Sequence, residues 1–285
     1  MSTASGREIV LVDCPDEVGL IHRITGVLQE RRLNIESNHE YVDASAGHFF
    51  FRAEVAPAAV PVAAERLRAD LAGVLPAAAR VRVTREERRP IVVCATREPH
   101  CLGELLLLDT VGELPGRIVA VVANHDDLRV LVERFGVPFH LVSHEGLSRE
   151  AHEAALLAAI DAHAPEYVVL ARYMRVLSAA AISRYPHRIV NIHHSFLPAF
   201  AGASPYRQAF ERGVKLIGAT AHFVTEELDA GPIIAQDVTP VDHGFTPERM
   251  AQAGRDVEKL VLSRAVRLVL EERVFLHGRR TVVFE

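Results

Sequence analysis

The densest polar cluster in the sequence is Asn191-Ile-His193-His194-Ser195, directly after the apolar run 188–190. A strand has a side-chain period of two, so an Asn-x-His ending aims Asn191 and His193 at the same side. Further on, the apolar run 219–224 leads into a loop, 225–232, that carries Asp229 before Gly-Pro and a second apolar run, 233–238. These three residue types form a coherent chemical set. An Asn amide donates to a carbonyl oxygen as negative charge develops there. A His moves a proton near neutral pH. An Asp orients that His and positions a water. Direct attack by water then needs no Ser or Cys nucleophile. On spacing alone a rival account stays open, because a His at a strand end also serves packing and an Asp before Gly-Pro also serves a turn. A metal site built from His193, His194, His222 and His243 is the second rival. It is disfavoured because no HExxH or HxxxH spacing occurs and neighbouring strand residues face opposite ways, so the expectation is no metal.

The elements around this cluster alternate. Residues 91–95, 117–123, 138–142 and 167–171 read as short buried strands, with helical patterns at 102–111, 126–135 and 148–163 between them. That order predicts a parallel sheet with helices on both faces, and ligands in such sheets bind beyond the carboxyl ends of the strands. A long helix is expected over about 247–273, then a short strand pair. The N-terminal part differs. It reads as strand 8–13, turn 14–17, and a helix through 32 with Ile21, Ile24, Val27 and Leu28 on one face. Strands 33–42 and 48–55, a helix at 60–75 and a strand at 79–84 follow, giving a split βαββαβ, ferredoxin-like unit. The charged stretch 85–90 ends in Pro and is the expected linker, which makes the domains 1–84 and 91–285.

The chain has 285 residues, 49% of them hydrophobic and 24% charged, which is ordinary for a folded α/β protein. Its formal net charge of −5 offers nothing to neutralise a phosphate backbone, so nucleic acid is not an expected partner. Three cysteines, Cys14, Cys94 and Cys101, show no CxxC spacing and fit a reducing compartment. No signal peptide and no apolar run of spanning length is visible, so the expectation is a cytoplasmic protein that does not engage a membrane.

Two long motifs carry a family resemblance. Asn191-Ile-His-His-Ser-Phe-Leu-Pro198 followed by Gly218-Ala-Thr-Ala-His-Phe-Val-Thr-Glu-Glu-Leu-Asp-Ala-Gly-Pro-Ile-Ile234 resembles the folate-dependent formyltransferases, from about residue 91 onward. The resemblance implies a Rossmann-like catalytic domain whose catalytic residues are Asn191, His193 and Asp229. It also implies a folate pocket formed by Met174, Arg175, Val176 and Leu177 with Thr225 and Leu228. Formyl-folate is then a substrate and no further cofactor is expected. The N-terminal segment Asp13-Cys-Pro-Asp-Glu-Val-Gly-Leu-Ile-His-Arg-Ile24 looks like an ACT domain. That likeness implies a homodimer or homotetramer and a small amino-acid effector, glycine or methionine, bound near Asp13, Gly19 and Asn34. Three features favour water over an amine as acceptor: the ACT-like unit, a first βα loop (95–103) without the glycine pattern that holds a substrate phosphate, and His194 where the transferases usually have proline. His194 is expected either to fill space or to help position that water. The expected reaction is hydrolysis of 10-formyltetrahydrofolate to formate and tetrahydrofolate, in support of one-carbon and purine metabolism. A formyltransferase acting on an amine acceptor is the alternative, and an amino-acid-responsive binding protein is the rival from outside enzymology.

Overall fold

A computed structural model describes residues 6–56, 63–198 and 205–285. The chain divides into two compact units, Met1–Glu87 with Phe284–Glu285, and Arg88–Val283.

The first unit runs β1 (Glu8–Pro15), α1 (Leu20–Glu30), β2 (Ile35–Asp43), β3 (His48–Val55), α2 (Ala64–Val74) and β4 (Arg80–Arg85). Its antiparallel sheet has the order β2-β3-β1-β4, which is the βαββαβ arrangement read from the sequence. Alternate residues of β1 and β3, among them Val10, Val12, Phe49 and Phe51, bury against Leu20, Ile24, Val27 and Leu28 of α1 and Leu67 and Leu71 of α2. Two local expectations are corrected. Residues 14 and 15 continue β1 instead of turning, because Cys14 and Pro15 pair with Phe49 and His48. Ile21 is 46% exposed and Leu20 takes its place in the apolar stripe. Gly19, at φ 89°, is the left-handed residue from which α1 starts. The expected start of the second helix, 60–62, lies outside the described residues.

The linker is shorter than 85–90. Arg85 belongs to β4, and Arg89 and Pro90 open the next strand. Arg89 is only 7% exposed, because its guanidinium is held between Glu166 and Glu272, with 3.0 Å to the latter. A charge run that resembles solvated linker thus conceals one buried, paired cation.

The second unit continues with β5 (Arg89–Ala95), α3 (His100–Val111), β6 (Gly116–Ala123), α4 (Arg129–Arg134), β7 (Phe139–Leu141), α5 (Arg149–Asp161), β8 (Tyr167–Ala171), α6 (Ala179–Arg184), β9 (Ile189–His193), α7 (Pro205–Glu211), β10 (Leu216–Phe223), β11 (Ile233–Pro240), α8 (Pro247–Leu270), β12 (Val274–His277) and β13 (Arg280–Val283). Its seven-stranded sheet has the order β11-β10-β9-β8-β5-β6-β7. The strands from β9 to β7 are parallel, and β10 and β11 are antiparallel additions. Side chains of β5 go alternately to two cores. Ile91, Val93 and Ala95 face the α3 and α8 side, and Val92 and Cys94 face the α5 side. Helices therefore cover both faces, which is why the strands read as unbroken apolar runs. Strand order reverses between β5 and β8. The loops that leave their carboxyl ends diverge there and open a crevice for a ligand.

Candidate active site

β9 leaves the sheet beside that crevice. It carries Asn191 and His193 two residues apart, as the strand period requires. β10 pairs with it antiparallel and sets His222 directly opposite Asn191. A register shift between Ala221 and His222 in the pairing with β11 marks a bulge, a device that re-aims a side chain.

The hydrogen bonds assign the protons. His222 Nδ1 lies 2.9 Å from the Phe223 carbonyl, which can only accept, so Nδ1 carries the proton. Its Nε2 is then an acceptor for the Asn191 amide, 3.2 Å away. One amide N–H of Asn191 is spent on this bond and the other is free to serve a substrate. His193 Nδ1 lies 3.2 Å from Asp229 Oδ2 and donates to it. That bond leaves His193 Nε2 buried and without a partner, the signature of an atom waiting for a substrate or water. Asp229 Oδ1 also stands 3.8 Å from His222 Nε2. The His193 hydrogen bond holds the Asp229 carboxyl below its ordinary range, against the effect of burial. Burial lowers His222 and keeps it neutral, as its bonding pattern requires.

Asp229 reaches this position through a tight turn. It adopts φ 54°, a conformation that Asp tolerates better than most residues. Two residues later, Gly231 lets the turn lie on β10, where Phe223 N donates to the Pro232 carbonyl at 2.9 Å. A Cβ at Gly231 would sit 1.7 Å from the Phe223 oxygen. Gly231→Ala is therefore expected to cost at least about 2 kcal/mol of stability, read as a lowered denaturant midpoint in equilibrium unfolding. An unchanged midpoint would show that the turn can move away from β10.

Next to this constellation is a cavity of about 380 Å³. Its walls include Met174, Arg175, Val176, Leu177, Thr225 and Leu228, all six residues expected to hold folate, together with Asn191, His193, His194, His222 and Asp229. The segment after β8 is pinned from both sides. Met174 N donates to Thr96 Oγ1 at 3.0 Å, and Arg149 donates to the Val176 carbonyl at 3.3 Å. Ser178 caps α6 and hydrogen-bonds Glu153. The turn after His194 is fixed by the Thr220 hydroxyl, which bridges Ser195 O and Leu197 N at 2.9 and 3.0 Å. Residues 199–204, between the two motifs, lie outside the described residues.

His194 is half-buried beside Tyr206, with ring centroids 6.2 Å apart. Burial and the Arg172 charge lower its pKa to about 4, so the ring is neutral at pH 7. The unfolded chain protonates this residue first as the solution is acidified, so its contribution to stability rises with pH between about 4 and 6.5. The contribution reaches about 3 kcal/mol at the upper end of that window. His194→Asn should flatten this dependence, read as a smaller change of Tm between pH 4.5 and 7 than in the unsubstituted protein. Equal slopes would show that folding leaves the His194 pKa where it is in the unfolded chain.

Several residues of the site carried no sequence signal strong enough to place them. His222 entered the sequence reading only as a metal rival. Arg172, His100, Tyr206 and Glu258 carry no spacing that sets them apart in the sequence. Glu258 is fully buried on the apolar face of α8, between Val257 and Val261, and a lone carboxylate on that face was the available clue. Among the described residues, His100, Cys101 and Glu258 present possible metal-ligand atoms within 4.8 Å of one another. The Glu258 oxygens are already engaged by His100, Tyr206 and Arg172, and the Arg172 cation stands where a second cation would be repelled. The four histidines weighed as ligands are not such a group.

Asn34 lines a hollow of the first unit with Thr25, Gln29 and Arg32. Asp13 is engaged by Arg80 at 2.6 Å and His48 at 3.3 Å, and Gly19 starts α1. All three cysteines are free and buried. No described helix is long and apolar enough to cross a membrane.

The fold and site together define a formyl transferase domain, matched by that family over residues 89–266, preceded by an ACT domain matched over residues 9–72. A formyltetrahydrofolate deformylase of Escherichia coli strain K12 is 53% identical over 97% of this chain and 98% of its own length. The crystal structure of a formyltetrahydrofolate deformylase from Pseudomonas syringae superposes with a TM-score of 0.94 at 40% identity, covering 99% of this chain and 96% of that one. A glycinamide ribonucleotide transformylase from Symbiobacterium toebii matches 70% of this chain and 95% of its own, with a TM-score of 0.67 and 35% identity. The chain belongs to the formyltetrahydrofolate deformylase family.

Proposed function

We propose that this chain hydrolyses 10-formyltetrahydrofolate to formate and tetrahydrofolate. The observation that carries the reading is the Asn191–His222 and His193–Asp229 pairing at the wall of a cavity of about 380 Å³. The pterin end of the substrate lies along Met174–Leu177, Thr225 and Leu228, and the formyl carbon lies beside Asn191 and His193. His193 Nε2 accepts a proton from water as the water oxygen attacks the formyl carbon. The free N–H of Asn191 donates to the developing oxyanion. The imidazolium, steadied by the Asp229 carboxylate, returns the proton to N10. The C–N10 bond breaks, and formate and tetrahydrofolate leave.

The test is formyl-folate consumption with no acceptor added. The expected result is formate and tetrahydrofolate in equal amounts. Turnover that begins only when an amine is supplied would establish the transferase alternative. The reaction sets the balance of one-carbon folate pools and yields formate for purine synthesis, in the cytoplasm. The ACT unit makes the protein a homodimer or homotetramer and binds glycine or methionine as effector. Support for this part is the ACT match and the Asn34 hollow. Turnover unaltered by either amino acid would leave the unit an assembly element only.

A further inference from the structure

We propose that Arg172, Glu258, His100 and Tyr206 form a fixed plug on the acceptor side of the cavity, which admits water to the formyl carbon and excludes a primary amine. The inference rests on the deformylase reading and deepens it by naming what selects the acceptor.

The plug adjoins the reacting groups. Arg172 follows β8 and shares the cavity wall with Asn191, His193 and His194. The His194 ring lies 5.2 Å from the His193 ring on one side and 6.2 Å from the Tyr206 ring on the other. Behind them is Glu258, 0% exposed in the middle of α8. One of its oxygens takes the Tyr206 hydroxyl at 2.5 Å, and the other takes His100 Nε2 at 2.7 Å and faces Arg172 Nε at 3.4 Å. A buried carboxylate with two hydrogen-bond donors and a cation 3.4 Å away cannot leave or rotate without stranding its charge, so the group acts as one rigid body.

The surrounding backbone is shaped to hold it. A Cβ at Gly254, one helical turn before Glu258, would stand 2.1 Å from the Tyr206 ring, so glycine makes the seat for that ring. Arg172 holds φ 60°, a left-handed conformation that costs an arginine roughly 1 kcal/mol and persists where its side chain is anchored.

The chemistry of the Arg172 guanidinium then chooses the nucleophile. Its Nε and Nη1 are both buried without a hydrogen-bond partner, so at the cavity wall it keeps unspent donors and a full positive charge. A water oxygen accepts from such a donor. An amine in its protonated form is repelled by the charge, and a neutral amine brings a carbon substituent that has to occupy the volume of Arg172 and of His194, which stands against Tyr206. A nucleophile must come within about 3–3.5 Å of the carbon it attacks, which a molecule the size of water achieves beside this plug.

The experiment measures partition of the formyl group with glycinamide as the probe. The full chain turns over 10-formyltetrahydrofolate in a high concentration of glycinamide, and N-formylglycinamide and formate are quantified by mass spectrometry. In the transfer, the amine nitrogen bonds to the formyl carbon, the C–N10 bond breaks, and the proton lost by the amine goes to N10. The unsubstituted protein is expected to give formate with no N-formylglycinamide above the uncatalysed background. Arg172→Ala and Tyr206→Ala are each expected to raise the amide fraction by about tenfold or more. Amide formation by the unsubstituted protein overturns the inference, and this arm needs no variant. So does an unchanged fraction in folded variants. If both alanine variants fail to fold, Tyr206→Leu is read in the same way, since it keeps an apolar side chain over Gly254 and opens part of the ring volume. A protein that releases no formate under any condition would instead sink the deformylase reading itself.

Discussion

His193→Ala is expected to lower formate release by about 10²- to 10³-fold, and Asn191→Ala by a similar factor. The two losses have different physical origins. Without His193 there is no group at the unpartnered Nε2 position to take the water proton and return it to N10. Without Asn191 the developing oxyanion loses its donor, and His222 Nε2 loses the amide that it accepts. The folate-facing residues Met174 to Leu177 stay in place in both variants, held by Thr96 and Arg149, so KM should shift far less than kcat. Because the two groups serve one transition state, the double variant should fall well short of the product of the single losses. Formate release by purified variants with matched Tm checks all of this. Near-unsubstituted turnover in His193→Ala would remove it from the mechanism.

The legible part of this protein was whatever local pattern dictates. Strand alternation and apolar runs suffice for both units, because β5 and β8 are buried on two faces and read as the apolar runs 91–95 and 167–171. Asn191 and His193 could be paired from spacing, since two residues on one strand need no tertiary information. Asp229 could be connected to them only through the family resemblance, because the bond to His193 spans a turn whose left-handed residue and Gly231 contact emerge only in the fold. His222 was hidden by the same logic, since its partner Asn191 sits on a neighbouring strand. The Arg172, His100, Tyr206 and Glu258 group joins four separate elements, and no sequence period connects them. Arg89 misled the linker reading because sequence shows a charge without its partners, Glu166 and Glu272.

Asp229→Asn tests the proton assignment most sharply, with an expected loss of about 10²- to 10⁴-fold in kcat. The substitution is nearly isosteric, and Asn accepts a left-handed backbone as readily as Asp, so the turn before Gly231 should stand. What changes is the charge facing His193 Nδ1. The carboxylate can only accept there, which fixes the proton on Nδ1 and the lone pair on Nε2. It also steadies the imidazolium that forms when Nε2 takes the water proton. An asparagine amide is able to donate its N–H to Nδ1 instead, which moves the ring proton to Nε2 and removes the base from the cavity. The held-down pKa of Asp229 means that the wild-type carboxylate stays ionised well below neutral pH, so its own protonation does not limit the enzyme between pH 6 and 8. The loss in Asp229→Asn should therefore be present across that whole range and not only at its acid end. Asp229→Ala separates the two roles, since it removes the acceptor and also puts alanine at φ 54°, adding roughly 1 kcal/mol of instability to the catalytic loss. Turnover in Asp229→Asn within threefold of the unsubstituted protein, at unchanged Tm, would mean that His193 finds its tautomer without this carboxylate.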